Sequence, residues 1–281
     1  MGMKSILKVG VSVVALVLVA TGAGAADLLE KAKAEGLSYA IISIKPFYYN
    51  DDEGRLTGSD VENLRAALAG MGIDKFNPTV TEWSSIVPGV KSGRFDIGAG
   101  MYITPERCRE VAFTMPYAVI IPALVVKKGN PDHITSWEDF AKRPELKAGV
   151  YAGGAEVGYM VKAGVANDNI VQLPDQNSLV QALLNGQIQA FNVGIGQADE
   201  IVAQVTELEV AKEFKAPEWS YSYNGWPFAK ENVAFVAKLN EQIRKRVESG
   251  EAEAINEKFG VKGADLRPFL NNPHINDICS R

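Results

Sequence analysis

Histidine and cysteine are close to absent from this chain, with two of each in 281 residues, and that scarcity removes whole classes of chemistry. His133 and His274 stand apart in loop-like contexts, too few and too isolated to assemble a metal centre with imidazole or thiolate ligands. No metal is therefore expected. A run of basic residues is also missing: 29 Lys and Arg are spread among 34 Asp and Glu, giving a formal net charge of -5. Nucleic acid and anionic membrane surfaces are excluded as partners on that ground. Beyond the N-terminus there is no second long hydrophobic run, and no fixed-period repeat or low-complexity tract. The glycine pair Gly153-Gly154 lacks the third glycine and the downstream acid of a dinucleotide fingerprint, so no nucleotide cofactor is expected, nor any other.

What is present describes an exported globular protein. Hydrophobic residues make up 47% and charged residues 22%, an ordinary globular balance, and the length suits two lobes. Two lysines precede an apolar stretch, Val9 to Ala20, followed by the small residues Thr21 to Ala26. That order reads as a secretory signal over residues 1–26, cleaved near Ala25 or Ala26. A single N-terminal anchor is the competing reading, against which the apolar stretch is short. Export gives the two cysteines meaning. In an oxidising compartment Cys108 and Cys279 form one disulfide that ties the C-terminal tail down; the alternative is two buried free thiols.

Along the chain, residues 27–36 read as a short polar leader or helix and Leu37 to Ile44 as a buried strand. Pro46 to Gly58 is a loop, and Ser59 to Gly72 a helix with Ser59 and Glu62 as its capping box. A strand over Thr79 to Glu82, a short helix over Ile86 to Lys91 stopped by Gly93, and a strand over Phe95 to Ala99 complete a β–α–β–α alternation. That pattern predicts a mostly parallel sheet with its ligands at the carboxyl ends of the strands. Pro122 to Val126 is a further strand, after which the chain crosses into a second lobe. There the pattern predicts a helix from Trp137, strands over Lys147 to Tyr151, Ile170 to Leu173 and Ile188 to Val193, and a helix over Ser178 to Leu184. Gly153-Gly154 opens another helix and presents backbone N–H groups to an anion, with Ala155 and Glu156 next in line. Ser222 to Ala229 returns, and Glu231 to Phe259 is helical with a break near Gly250. The expected division is residues 27–126 and 223–281 in one lobe and 127–222 in the other.

The stretch around which this is organised runs from Phe95 to Tyr117. Thr104-Pro105-Glu106 is a helix start, with a hydroxyl at the cap, proline at the first position and an acid beside it. Arg107 follows, a cation in a first turn where the helix dipole opposes it. A guanidinium at a strand exit beside free N–H groups suits a carboxylate gripped in two parallel hydrogen bonds; an ordinary surface arginine is the plain alternative. Phe47, Trp83 and Tyr102 fall at first-lobe strand exits or in the loops after them, as core residues or as an aromatic wall.

Gly100-Met-Tyr-Ile-Thr-Pro-Glu-Arg107 with Val111-Ala-Phe-Thr-Met-Pro-Tyr117 resembles the signature of the periplasmic solute-binding proteins of the polar-amino-acid family, the receptors that feed ABC importers. The likeness extends over nearly all of the mature chain. Within that family Val80-Thr-Glu-Trp through Arg94-Phe-Asp96, the cysteine after Arg107 and Leu173-Pro-Asp-Gln176 look like the ectoine and hydroxyectoine receptors. The resemblance implies a type II two-lobe α/β fold with two hinge crossings, a monomer in the periplasm, an inner-membrane permease as partner and no catalysis. It implies further that Arg107 takes a carboxylate while Phe47, Trp83 and Tyr102 box a delocalised cation. Two departures bear on the ligand. Ile44 stands where ectoine receptors carry an acid, and Gly194 and Gln189 stand where general amino-acid receptors have aspartate. A zwitterion whose nitrogen is cyclic, secondary or delocalised fits, such as an ectoine-like solute or an opine. Gly154, Ala155, Glu156 and Asn192 are the second-lobe candidates, with Tyr151 and Gln197 beside them. The competing function is a periplasmic enzyme on the same fold, a lyase like cyclohexadienyl dehydratase or a member of a peptidoglycan-cleaving family, with Glu156 as its general acid or base. A sensory domain of a receptor is a third possibility, one that an uncleaved N-terminus would favour.

Overall fold

The computed structural model describes residues 23–261, 266–267, 270 and 278–280. Most of the expected export signal lies outside that range; residues 23–26 open the helix Ala23–Glu35. Among the described residues no helix is long and apolar enough to cross a membrane.

Two five-stranded sheets carry the two lobes. The first runs in the order Phe76–Val80, Leu37–Ile41, Ile97–Gly98, Pro227–Phe228, Ala112–Phe113. Its first three strands are parallel, as the β–α alternation predicts, but Pro227–Phe228 is inserted antiparallel between Ile97–Gly98 and Ala112–Phe113. The second sheet runs Ile170–Leu173, Ala148–Tyr151, Ala190–Gly194, Pro122–Lys127, Leu208–Val210. Its parallel trio is likewise extended by antiparallel strands. Pro122–Lys127, expected to close the first lobe, therefore pairs wholly within the second sheet. Its five successive buried residues, Pro122 to Val126, are those of a strand covered on both faces.

Between the two sheets lies a small antiparallel ribbon, Met101–Tyr102, Ser222–Gly225 and Ala118–Ile120. The returning strand sits between the two outgoing ones, so the crossings are hydrogen-bonded to each other. One apolar core underlies the first sheet, and the second sheet has a core on each face.

Two local expectations need correction. The helix Ser59–Ala69 starts one residue early: Gly58 is its N-cap, at φ 125°, and Ser59 makes no capping bond. A Cβ at Gly58 would collide with the Phe47 carbonyl, so the chain needs glycine where a capping serine would stand. Glu62 instead accepts from the Thr57 hydroxyl at 3.1 Å. The helix Ile195–Gln204 was not anticipated at all, because Gly194 precedes it with no capping side chain and only its buried face marks it. The break near Gly250 is as expected, with φ 79° between the helices Val233–Glu248 and Glu251–Lys258.

Cys108 and Cys279 are joined, closing a loop over 171 positions. A cross-link of that reach removes much of the freedom of the unfolded chain, typically about 2–4 kcal/mol. Reduction should lower the melting temperature by roughly 5–15 °C for a chain of this size. An unchanged melting curve under reductant would show that the bridge adds no constraint.

Candidate functional site

Arg107 is set in place by the single-turn helix Pro105–Cys108. The Thr104 hydroxyl accepts the Arg107 N–H at 3.3 Å and Pro105 occupies the first helical position, as the sequence predicts. From that turn the guanidinium donates through Nη1 to the Tyr102 carbonyl at 2.7 Å and through Nη2 to the Gly153 carbonyl at 3.0 Å. The first acceptor belongs to the ribbon and the second to a turn of the second lobe. The Arg107 Cζ also lies 5.8 Å from the centre of the Trp83 ring, within range of a cation–π attraction. Burial lowers the proton affinity of Arg107, while Glu156, Tyr159 and Tyr102 pull the other way. The group stays cationic, as arginine does in proteins. Two of its five N–H groups are engaged by carbonyls and no carboxylate among the described residues forms an ion pair with it.

The guanidinium lines a cavity between the lobes of about 70 Å³, room for several waters where one takes ~10–15 Å³. Phe47, Trp83 and Tyr102 line the same cavity, so the three expected aromatics and Arg107 do converge. They get there by different routes. Phe47 sits on a loop clamped by the Ser59 N–H on the Pro46 carbonyl, at 3.0 Å. Trp83 is the first residue of the helix Trp83–Lys91. Tyr102 belongs to the crossing ribbon. Ile44 also forms part of the wall, so the missing acid at that position leaves an apolar surface there.

From the second lobe come Tyr151, Gly154, Ala155, Glu156, Gly194 and Gln197. Glu156 is 6% exposed. Burial raises the pKa of its carboxyl, against the pull of its own N–H, of Arg107 and of a hydrogen bond with Tyr102. A Cβ at Gly154 would press on the Glu156 carboxylate and on the Tyr151 carbonyl, so glycine there leaves room for the acid. Gln197 donates to the Tyr151 hydroxyl at 2.6 Å and to Gln176 Oε1 at 3.1 Å, which holds the Tyr151 side chain in place.

The glycine pair does not work as expected. The Gly153 N–H points to Gln172 Oε1 at 3.4 Å and the Gly154 N–H to the Tyr151 carbonyl at 2.9 Å. Neither is left for an anion, because the turn spends both on holding itself. What the turn contributes is the Gly153 carbonyl that Arg107 binds. Asn192 is also misplaced by the sequence reading: it is fully buried and is absent from the cavity wall. It shares a face of its strand with Gly194, which does line the cavity, but lies two residues deeper in the sheet. The polar residue that the sequence reading missed is Asn224, on the returning ribbon strand. It is 7% exposed, it lines the cavity, and its Oδ1 has no hydrogen-bond partner. A single asparagine in a Ser-Tyr-Asn-Gly run carries no signal of its own; only the pairing of the crossings places it there.

A half-buried cation and a buried carboxylate thus line one cavity without forming an ion pair, walled by aromatic faces. That arrangement suits a small dipolar solute. Two α/β lobes joined by paired crossings, with the cavity between them, define the class: an extracytoplasmic solute-binding receptor of an ABC importer. The chain belongs to the bacterial extracellular solute-binding proteins, family 3, whose model matches residues 40–262. It is 31% identical over 236 residues to the probable amino-acid ABC transporter periplasmic-binding protein y4tE of Sinorhizobium fredii, covering 81% of this chain and 78% of that one. Among solved structures it is similar to EhuB in complex with hydroxyectoine, with a TM-score of 0.79 and 27% identity over 89% of this chain and 97% of that one. It is also similar to an ancestral amino-acid-binding protein described as a precursor of cyclohexadienyl dehydratase, with a TM-score of 0.69 and 25% identity over 83% of this chain and 99% of that one.

Proposed function

We propose that this receptor captures a small zwitterion bearing a carboxylate, either an ectoine-like compatible solute or an opine or other amino-acid derivative. It does so without covalent chemistry. The observation that carries the reading is the Arg107 guanidinium, half-buried in the cavity wall and in no ion pair with a carboxylate among the described residues. A ligand carboxylate supplies the missing anion, while Phe47, Trp83 and Tyr102 pack against the rest of the molecule. The second lobe, taken as the residues between the crossings at Ile121 and Ser222, closes over the ligand, and the closed form docks on a membrane permease. The protein acts as a periplasmic monomer after loss of its leader.

A thermal-shift screen against ectoine, hydroxyectoine, betaines, opines and amino acids tests the proposal, followed by calorimetry on each positive. Trp83→Ala should weaken the ligand so found by about 1–3 kcal/mol, roughly 5- to 150-fold. A ligand bound equally well without the indole would remove Trp83 from the site.

The enzymatic reading draws on one observation, a buried acid with raised pKa in the cavity. Against it, Glu156 is the sole carboxyl in the lining, and no histidine, lysine or cysteine accompanies it. Recovery of the ligand unchanged after prolonged incubation separates the two; turnover of a prephenate-like substrate would favour the lyase.

A further inference from the structure

We infer that Glu156 and Asn224 form a nitrogen site in the cavity that Arg107 also lines. The ligand therefore carries N–H groups on a cationic nitrogen centre, as in a secondary ammonium or an amidinium, and is not a quaternary betaine. This rests on the proposed capture of a carboxylate-bearing zwitterion and narrows it.

Asn224 supplies the first observation. Its backbone is spent on the ribbon, paired with Tyr102 on one side and Ala118 on the other. Asn224 is among the residues that line the cavity, and its Oδ1 is buried and unpartnered. A buried acceptor left dry is costly, and an apolar residue of similar size would avoid that cost. An amide carbonyl kept there is matched by a donor, and a bound solute is what the cavity can bring to it.

Glu156 supplies the second. Glu156 lines the same cavity, where its own N–H, Arg107 and Tyr102 act on its carboxyl against the effect of burial. Its own N–H and Tyr102 together leave about half of the roughly four acceptor positions of a carboxylate unused. Arg107 attracts it electrostatically, yet no ion pair between them closes the gap. The cavity thus holds both kinds of group, the guanidinium donors that Tyr102 and Gly153 do not take and the acceptors of Glu156 and Asn224. A ligand nitrogen with hydrogens satisfies both acceptors and balances the charge of Glu156. A trimethylated nitrogen balances the charge but donates nothing, and it leaves Asn224 Oδ1 unpaired. A site built to accept hydrogen bonds discriminates strongly against an analogue that cannot donate them. The absence of an acid at Ile44 and Gly194 therefore does not leave the nitrogen without a partner; the partners come from the helix after Gly154 and from the crossing strand.

Calorimetry on the full-length mature protein with matched probes tests this: L-proline against proline betaine and glycine against glycine betaine, with ectoine and octopine alongside. Each N-methylated probe should bind at least 30-fold more weakly than its N–H counterpart. Glu156→Gln should weaken the tightest N–H probe at least tenfold. Asn224→Leu should do the same, and Asn224→Asp, which keeps an acceptor in place, should bind that probe more tightly than Asn224→Leu does. Betaines binding as tightly as their N–H counterparts, or Glu156→Gln matching wild type, would overturn the nitrogen site. If in that event Arg107→Ala still abolished binding, the carboxylate reading would survive alone. If no probe bound the wild-type protein, the zwitterion reading would fall and this inference with it.

Discussion

Arg107→Ala is expected to lose about 2–5 kcal/mol of ligand binding, roughly 30- to 5,000-fold, the range for truncating one member of a desolvated charge pair. Three contributions vanish together. The ligand carboxylate loses its counter-charge and its forked donor. The bond from Nη2 to the Gly153 carbonyl, which spans the lobes at 3.0 Å, goes with it, so closure is weakened as well as contact. The cation over the Trp83 ring is also removed. The variant should fold, because Arg107 breaks no ion pair among the described residues on leaving and the carbonyls it releases belong to an exposed residue, Gly153, and a half-buried one, Tyr102. Arg107→Lys is the informative companion. An ammonium keeps the charge but cannot reach the Tyr102 carbonyl, the Gly153 carbonyl and a carboxylate in one planar fork, so its affinity should fall between those of wild type and Arg107→Ala. Calorimetry with the ligand found by the screen reads all three proteins. Wild-type affinity in Arg107→Ala would end the carboxylate clamp.

Much of this arrangement is legible in the sequence where the signal is local. Thr104 and Pro105 announce a helix start whatever the rest of the chain does, and Gly250 announces a break. The apolar runs at Leu37, Ala148 and Ile170 are long enough to be strands in any context. What is not legible depends on partners far away in the chain. Met101–Tyr102 and Ala118–Ile120 are too short to announce themselves and become strands only because Ser222–Gly225 comes back between them. Asn192 and Asn224 look equally plausible as residues, and only depth in a sheet separates a core position from a wall position. Asp60 is the plainest case. In sequence it is an acid in the first turn of a helix, where the dipole favours any carboxylate, and a solvated position is the natural expectation. In the fold it is 1% exposed.

Asp60→Ala is expected to be the most damaging single change to stability, at about 3–5 kcal/mol. The Asp60 carboxylate accepts from the Tyr39 hydroxyl at 2.6 Å and the Trp226 indole at 2.9 Å, and from the Tyr117 hydroxyl. Tyr117 and Trp226 are themselves stacked, 3.8 Å apart and nearly parallel. Alanine would leave these three buried donors without their shared acceptor. Asparagine does little better, since its NH₂ would face groups that also donate. The pH dependence carries a definite sign. Burial, working against the hydrogen bonds, raises the Asp60 pKa from 3.8 to about 6, so the folded state holds a proton that the unfolded state releases. The contribution of Asp60 is therefore complete below about pH 3.8 and diminishes as pH rises toward 6, by up to ~3 kcal/mol. Urea melts of wild type and Asp60→Ala at pH 4.5 and pH 7.5 should show the larger gap at the lower pH. A larger gap at pH 7.5 would mean that the donors outweigh burial and keep the carboxylate ionised. The same network supports the cavity floor: a Cβ at Gly100 would strike both Asp60 and the Tyr117 hydroxyl, and the Gly100 carbonyl receives the Tyr48 hydroxyl at 3.1 Å. Tyr48 and Gly100 both line the cavity, so whatever Asp60→Ala does to stability should reach ligand affinity as well.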